Sequence, residues 1–119
     1  MNLFDNKINR LNISDLQYLK MLTHLDLGGN ELQYIEAGSF NQCSSLLRLI
    51  LSGNKLQSFP HPIRLPFLNE LWLSGNQISS LRSLGGLSFC PIMERIELAE
   101  NRIKKVHVED LRAFPRVKH

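Results

Sequence analysis

The sequence predicts an α/β solenoid, with short parallel β-strands on a concave face and short helical or extended connectors on a convex one. Three observations lead there. A frame of the form LxxLxLxxNxL, with Met or Ile in some Leu places, occurs at Leu22–Leu32, Leu46–Leu56, Leu68–Ile78 and Met93–Ile103. The first positions of these frames, continued to Val117, are 24, 22, 25 and 24 residues apart. Between frames, apolar residues fall into columns: Leu11, Ile35, Phe59, Leu81 and Val106; Leu16, Phe40, Pro62, Leu87 and Leu111; Leu19, Cys43, Leu65, Cys90 and Phe114. One frame alone says little. Copies in phase imply coils that bury their faces on one another.

The chain opens on a truncated copy, with Met1 at the fourth frame position, followed by Leu3, Asn6 and Ile8 in register. Within the frame at 68–78, Leu71 and Leu73 alternate along a short strand and point to one side, while Glu70, Trp72 and Ser74 point to the other. Asn76 then turns the chain, because its amide both donates and accepts and can satisfy backbone groups inside a tight bend. Asn6, Asn30, Asn54 and Asn101 hold the same place and the same structural role. The stretches 14–21 and 108–114 suit short helices, the first with Ser14 as N-cap. FPHPIRLP (59–66) holds three prolines and is expected to be extended. Gly85 and Gly86 interrupt the connector at 82–89.

The frame resembles that of leucine-rich repeat proteins, and the resemblance covers the whole chain. It implies a right-handed superhelix whose concave sheet serves as a rigid platform for other proteins. On this reading 1–119 is a single leucine-rich repeat domain: a partial repeat 1–21, repeats at 22–45, 46–67, 68–92 and 93–116, and the opening of a sixth at 117–119. Solenoid ends need polar caps, and neither end carries one, so the chain is expected to be an excerpt of a longer array.

Composition limits the function. The formal net charge is only +3, with 14 basic and 11 acidic residues spread along 119, so composition does not point to a polyanion partner. No apolar run approaches the roughly 18 residues that cross a bilayer, and MNLFDNKINR lacks the form of a signal peptide. Cys43 and Cys90 share a column two coils apart, roughly 10 Å, beyond the roughly 7 Å that a disulfide spans. They are expected to be free and buried as small apolar fillers, without the CxxC or HxxxH spacing of a metal site despite His24, His61 and His107. No P-loop, GxGxxG or GxSxG occurs, and GGLS (85–88) lacks the lysine and strand–helix context of a phosphate cradle. Neither catalysis, a cofactor nor a small-molecule substrate is expected. Asn12-Ile13-Ser14 is a glycosylation sequon.

The concave face carries the functional signal. Down the fifth frame position run Asn2, Asp26, Ile50, Trp72 and Glu97; down the third run His24, Arg48, Glu70, Arg95 and His119. Ile50 and Trp72 are expected as neighbours on adjacent strands, two apolar side chains facing away from the core inside a polar rim. That pattern suits the anchors of a protein-binding site, with His24, Asp26, Arg48, Glu70, Arg95 and Glu97 setting orientation and specificity. The bland alternative is that Trp72 covers Ile50 and that Arg48, Glu70 and Arg95 form a ladder of cross-strand ion pairs worth little each. Phe4 is a third apolar candidate.

Arg102, Lys104, Lys105, Arg112, Arg116 and Lys118 oppose only Glu109 and Asp110 in the last 19 residues. A solvated edge explains them better than a nucleic-acid site, since no aromatic residues interleave to stack on bases. The expected partner is a protein; the alternatives are the recognition segment of a larger receptor, kinase or ubiquitin ligase, and, behind that, RNA. EAGSFNQCSSL (36–46) resembles repeats of extracellular receptors, whereas FPHPIRLPFL and the LxxLxxLxxL runs at 16–25 and 78–87 resemble intracellular types. The balance leans to the cytoplasm.

Overall fold

A computed structural model describes residues 1–11, 16, 18–36, 38–58, 65–79, 90 and 92–103. Six short strands follow in chain order: β1 (Arg10–Leu11), β2 (His24–Asp26), β3 (Tyr34–Ile35), β4 (Arg48–Ile50), β5 (Glu70–Trp72) and β6 (Arg95–Glu97). Four of them form one parallel sheet in the order β2-β4-β5-β6. Its rows are the frame positions: Leu25, Leu49, Leu71 and Ile96 stand side by side, and so do His24, Arg48, Glu70 and Arg95. Asn2 adds a fifth row by an isolated parallel bridge to Asp26.

Alternation along each strand decides what is buried. Leu49, Leu51, Leu71 and Leu73 are wholly enclosed, while Arg48, Ile50, Glu70 and Trp72 between them are half-buried on the other side. Each enclosed leucine contributes roughly 1.5–3 kcal/mol. The first and eleventh frame positions close the same core through Leu46, Leu68, Met93, Leu32, Leu56 and Ile78, and Phe40, Cys43, Leu65 and Cys90 fill it from the connectors. Burial falls off in the outer coils, where Leu3, Ile8, Leu22, Ile96, Leu98 and Ile103 are only partly covered.

A ladder of asparagines holds the coils in phase. Asn54 Nδ2 donates to the Leu51 carbonyl of its own coil (2.9 Å) and to the Leu27 carbonyl of the coil before (3.0 Å). Its Oδ1 accepts the Leu32 N–H at 2.9 Å. Asn30, Asn76 and Asn101 repeat the arrangement with the equivalent groups of their neighbours. Asn6 is exposed and donates to Leu3 and Phe4 within its own turn. One residue before each asparagine the backbone is left-handed: Gly29, Gly53 and Gly75 lie at φ 65–70°, and Asp5 and Glu100 at 58° and 57°. Glycine bears that conformation without a Cβ clash, which the two acidic residues do not escape.

Two features depart from the sequence expectations. β1 and β3 make a second, two-stranded parallel sheet with Leu11 opposite Ile35, where only an apolar column was foreseen. Of the stretch expected to be a short helix over 14–21, Leu16 is helical as expected, whereas Tyr18, Lys20 and Met21 lie in turns, with the Leu19 N–H on the Leu16 carbonyl at 3.1 Å. The expected helix at 108–114, most of the proline stretch at 59–66, the glycine pair at 85–86, the Asn12 sequon, His119 and the basic run beyond Arg102 lie outside the described residues. No helix among the described residues is long and apolar enough to cross a membrane.

Candidate functional site on the concave sheet

Parallel registry brings the candidate residues onto one face. Ile50 lies opposite Trp72, with Asp26 on the far side of Ile50 and Glu97 on the far side of Trp72. Arg48 reaches Glu70 with Nη2 on Oε1 at 3.2 Å and with Nε 2.9 Å from Oε2, the latter an ion-pair contact off the N–H axis. Glu70 does not complete the expected ladder to Arg95. Its Oε2 instead accepts the Trp72 indole N–H at 3.0 Å, two residues along the same strand. Arg95 turns to Glu97, also two residues along, with Nε and Nη2 at 2.9 and 2.8 Å from Oε1. The guanidinium of Arg95 meanwhile lies over the Trp72 ring, 4.6 Å from its centroid.

Arg48, Glu70, Trp72, Arg95 and Glu97 are thus one connected set across three strands, with Trp72 in the middle. The Trp72 N–H, then Arg48, hold the Glu70 carboxyl below the usual carboxylate range, against a weaker upward push from burial. Trp72 therefore has its polar atom bonded and one ring face covered by a cation. Ile50, its partner in register on β4, is half-buried on the same face.

The remaining candidates stand at the margin. Asp26 Oδ1 accepts the Gly28 N–H at 2.9 Å and so braces the turn after β2. His24 is exposed, with Nδ1 3.0 Å from the Thr23 hydroxyl. Phe4 packs on Gly28 and Gly29, where an added Cβ would meet its ring at 3.3 and 3.2 Å. Cys43 and Cys90 are free and buried, and burial raises both thiols. Among the described residues no three metal-ligating side chains converge.

Sequence reasoning passed over Asn69 and Glu94, at the second frame position. With Glu70, Arg95, Ile96 and Glu97 they line an open pocket of about 380 Å³ where β5 and β6 begin. The signal was present in the column Thr23, Leu47, Asn69 and Glu94, which stands beside the third-position row.

Comparison with known proteins agrees with this architecture. The leucine rich repeat family model matches residues 1–56 and 20–78, and a further Leucine Rich Repeat model matches 67–97. Nephrocan of Mus musculus is 36% identical over 117 residues, 96% of this chain and 22% of that protein. Leucine-rich repeat-containing G-protein coupled receptor 5 of Rattus norvegicus is 33% identical over 108 residues, 89% of this chain and 12% of that protein. The chain thus spans less than a quarter of either relative, at 22% and 12% of their lengths. A chain of the TLR13–ssRNA13 complex superposes with a TM-score of 0.84 at 26% identity, over 98% of this chain and 17% of that one. The stacked frames, the parallel concave sheet and the asparagine ladder are the family's architecture carried by this sequence, and the chain belongs to the leucine-rich repeat family.

Proposed function

We propose that the chain is a protein-interaction module without catalysis of its own, which takes a protein partner on its concave sheet through Ile50 and Trp72. The observation that carries this reading is the side-by-side placement of Ile50 and Trp72 on β4 and β5, away from the core, with the ring held in place by Glu70 and Arg95. An aromatic anchor already fixed loses little conformational entropy on binding. His24, Asp26, Arg48, Glu70, Arg95 and Glu97 form the rim that sets orientation. The test is the affinity of a partner for Trp72→Ala beside the parent chain. A loss of about 2 kcal/mol in a variant that still unfolds cooperatively in urea supports the anchor role; unchanged affinity overturns it.

A second reading places the chain as the recognition segment of a larger receptor. It rests on the relative named a G-protein coupled receptor, of which the chain spans 12%. That relationship weighs against the cytoplasmic lean of the sequence. RNA is the weaker alternative despite the TLR13–ssRNA13 likeness. Protein binding predicts a shallow dependence of affinity on salt, whereas a steep one with loss on changing Lys104 and Lys105 favours RNA.

A further inference from the structure

The concave face carries an acidic excess. Frame positions two, three and five carry four carboxylates (Asp26, Glu70, Glu94 and Glu97) against two guanidiniums, Arg48 and Arg95, among the described residues. The chain as a whole carries a formal net charge of +3. Off that face the described residues carry five cations, Lys7, Arg10, Lys20, Lys55 and Arg102, against four carboxylates, Asp5, Glu31, Glu36 and Glu100. Among the described residues the acidic excess therefore lies on this face, with two net negative charges there and one net positive charge elsewhere.

Both arginines of the face are already engaged, Arg48 by Glu70 and Arg95 by Glu97. An anionic partner would meet guanidiniums whose charge is already offset by these carboxylates. Among the described residues Asp26 and Glu94, by contrast, pair with no cation, and Glu94 is exposed on the wall of the pocket between β5 and β6. Glu70, Glu94 and Glu97 line that pocket with Asn69, Ile96 and Arg95, and of these carboxylates Glu70 is held by Arg48 and Glu97 by Arg95.

From this complementarity we infer that the partner is a protein segment presenting an apolar side chain to the Ile50–Trp72 step and, beside it, a lysine or arginine to the Glu94 pocket. The inference rests on the concave-face reading above and adds the sign of the partner's charge. The incoming cation is directed to carboxylates rather than to the indole, because Arg95 already lies on the Trp72 ring at 4.6 Å. A cation in this pocket brings the face closer to neutral, whereas a carboxylate adds to a negative excess.

The test is selection of a linear random-peptide library on the chain. Enriched peptides are then synthesised with a fluorescent label and titrated by anisotropy against the parent, Trp72→Ala, Glu94→Gln and Glu94→Lys. The expected result is enrichment of lysine or arginine next to leucine, isoleucine or an aromatic residue. Binding is then weakened severalfold by Glu94→Gln, tenfold or more by Glu94→Lys, and lost in Trp72→Ala. Glu94 is exposed, so urea midpoints of its variants should match the parent. If Trp72→Ala abolishes binding while both Glu94 variants bind like the parent, or if enriched peptides are acidic, the basic-partner inference fails and the concave site stands. No enrichment, or peptides indifferent to Trp72→Ala, overturns both.

Discussion

The indole N–H of Trp72 donates to Oε2 of Glu70 at 3.0 Å, so the candidate anchor is tied to its own strand two residues back. The same carboxylate holds Arg48 of the neighbouring strand, which makes Glu70 the joint between the apolar step and the charged row.

Trp72 is the single tryptophan, so its fluorescence reports this joint without interference. The Glu70 carboxyl is depressed in the folded chain, chiefly by the Trp72 hydrogen bond and then by Arg48. A depressed acid contributes stability above its unfolded value, and that contribution is lost as pH falls through the folded one. Emission from Trp72 should therefore change in a step below the ordinary carboxylate range near about 4.3. The step should be absent in Glu70→Gln. A step of equal size and midpoint in that variant would detach Glu70 from the indole.

The fold was legible in the sequence because one frame determines both registry and burial. Leu25, Leu49, Leu71 and Ile96, read as a column, are neighbours on the sheet. The side-chain pairing was less legible. A column pairs residues across strands and favours Glu70 with Arg95, yet residues at i and i+2 also share a face. Glu70 is occupied by Arg48 and Trp72, and Arg95 finds Glu97 closer along its own strand. β1 and β3 escaped notice because two residues each are too few to show alternation.

The asparagine ladder predicts unequal losses. Asn54→Ala orphans the buried Leu32 N–H, while the Leu27 and Leu51 carbonyls each lose one of two amide donors and keep Asn30 and Asn76. One orphaned buried donor costs about 1–3 kcal/mol, and that is the loss expected. Asn6→Ala, in an exposed turn, should cost less than about 1 kcal/mol. Urea unfolding of the two variants side by side checks the ranking, which equal midpoints would refute.

Backbone strain predicts a stabilising change. Glu100 sits at φ 57° in the place that Gly29, Gly53 and Gly75 fill in the inner coils. Glu100→Gly should raise stability by roughly 0.5–1 kcal/mol, while Gly53→Ala should lower it by about 1–2 kcal/mol. Thermal midpoints moving in opposite directions would bear this out. Loss of stability in Glu100→Gly would show that the carboxylate matters more than the strain.

The cysteines should be silent until the chain unfolds. Cys43 and Cys90 are free, buried and raised in pKa, so a thiol reagent at neutral pH should label neither in the native chain and both in urea. Labelling of one thiol at native conditions would mean that its coil opens locally.

The account turns on whether a partner covers Trp72. Acrylamide quenching of its emission, measured with and without a saturating protein or peptide partner, asks this directly. The predicted result is a fall in the quenching constant by about half or more, with a blue shift, as the ring loses contact with water. A partner that binds while quenching and emission stay as they were would place the interaction elsewhere on the chain and contradict the concave-face assignment.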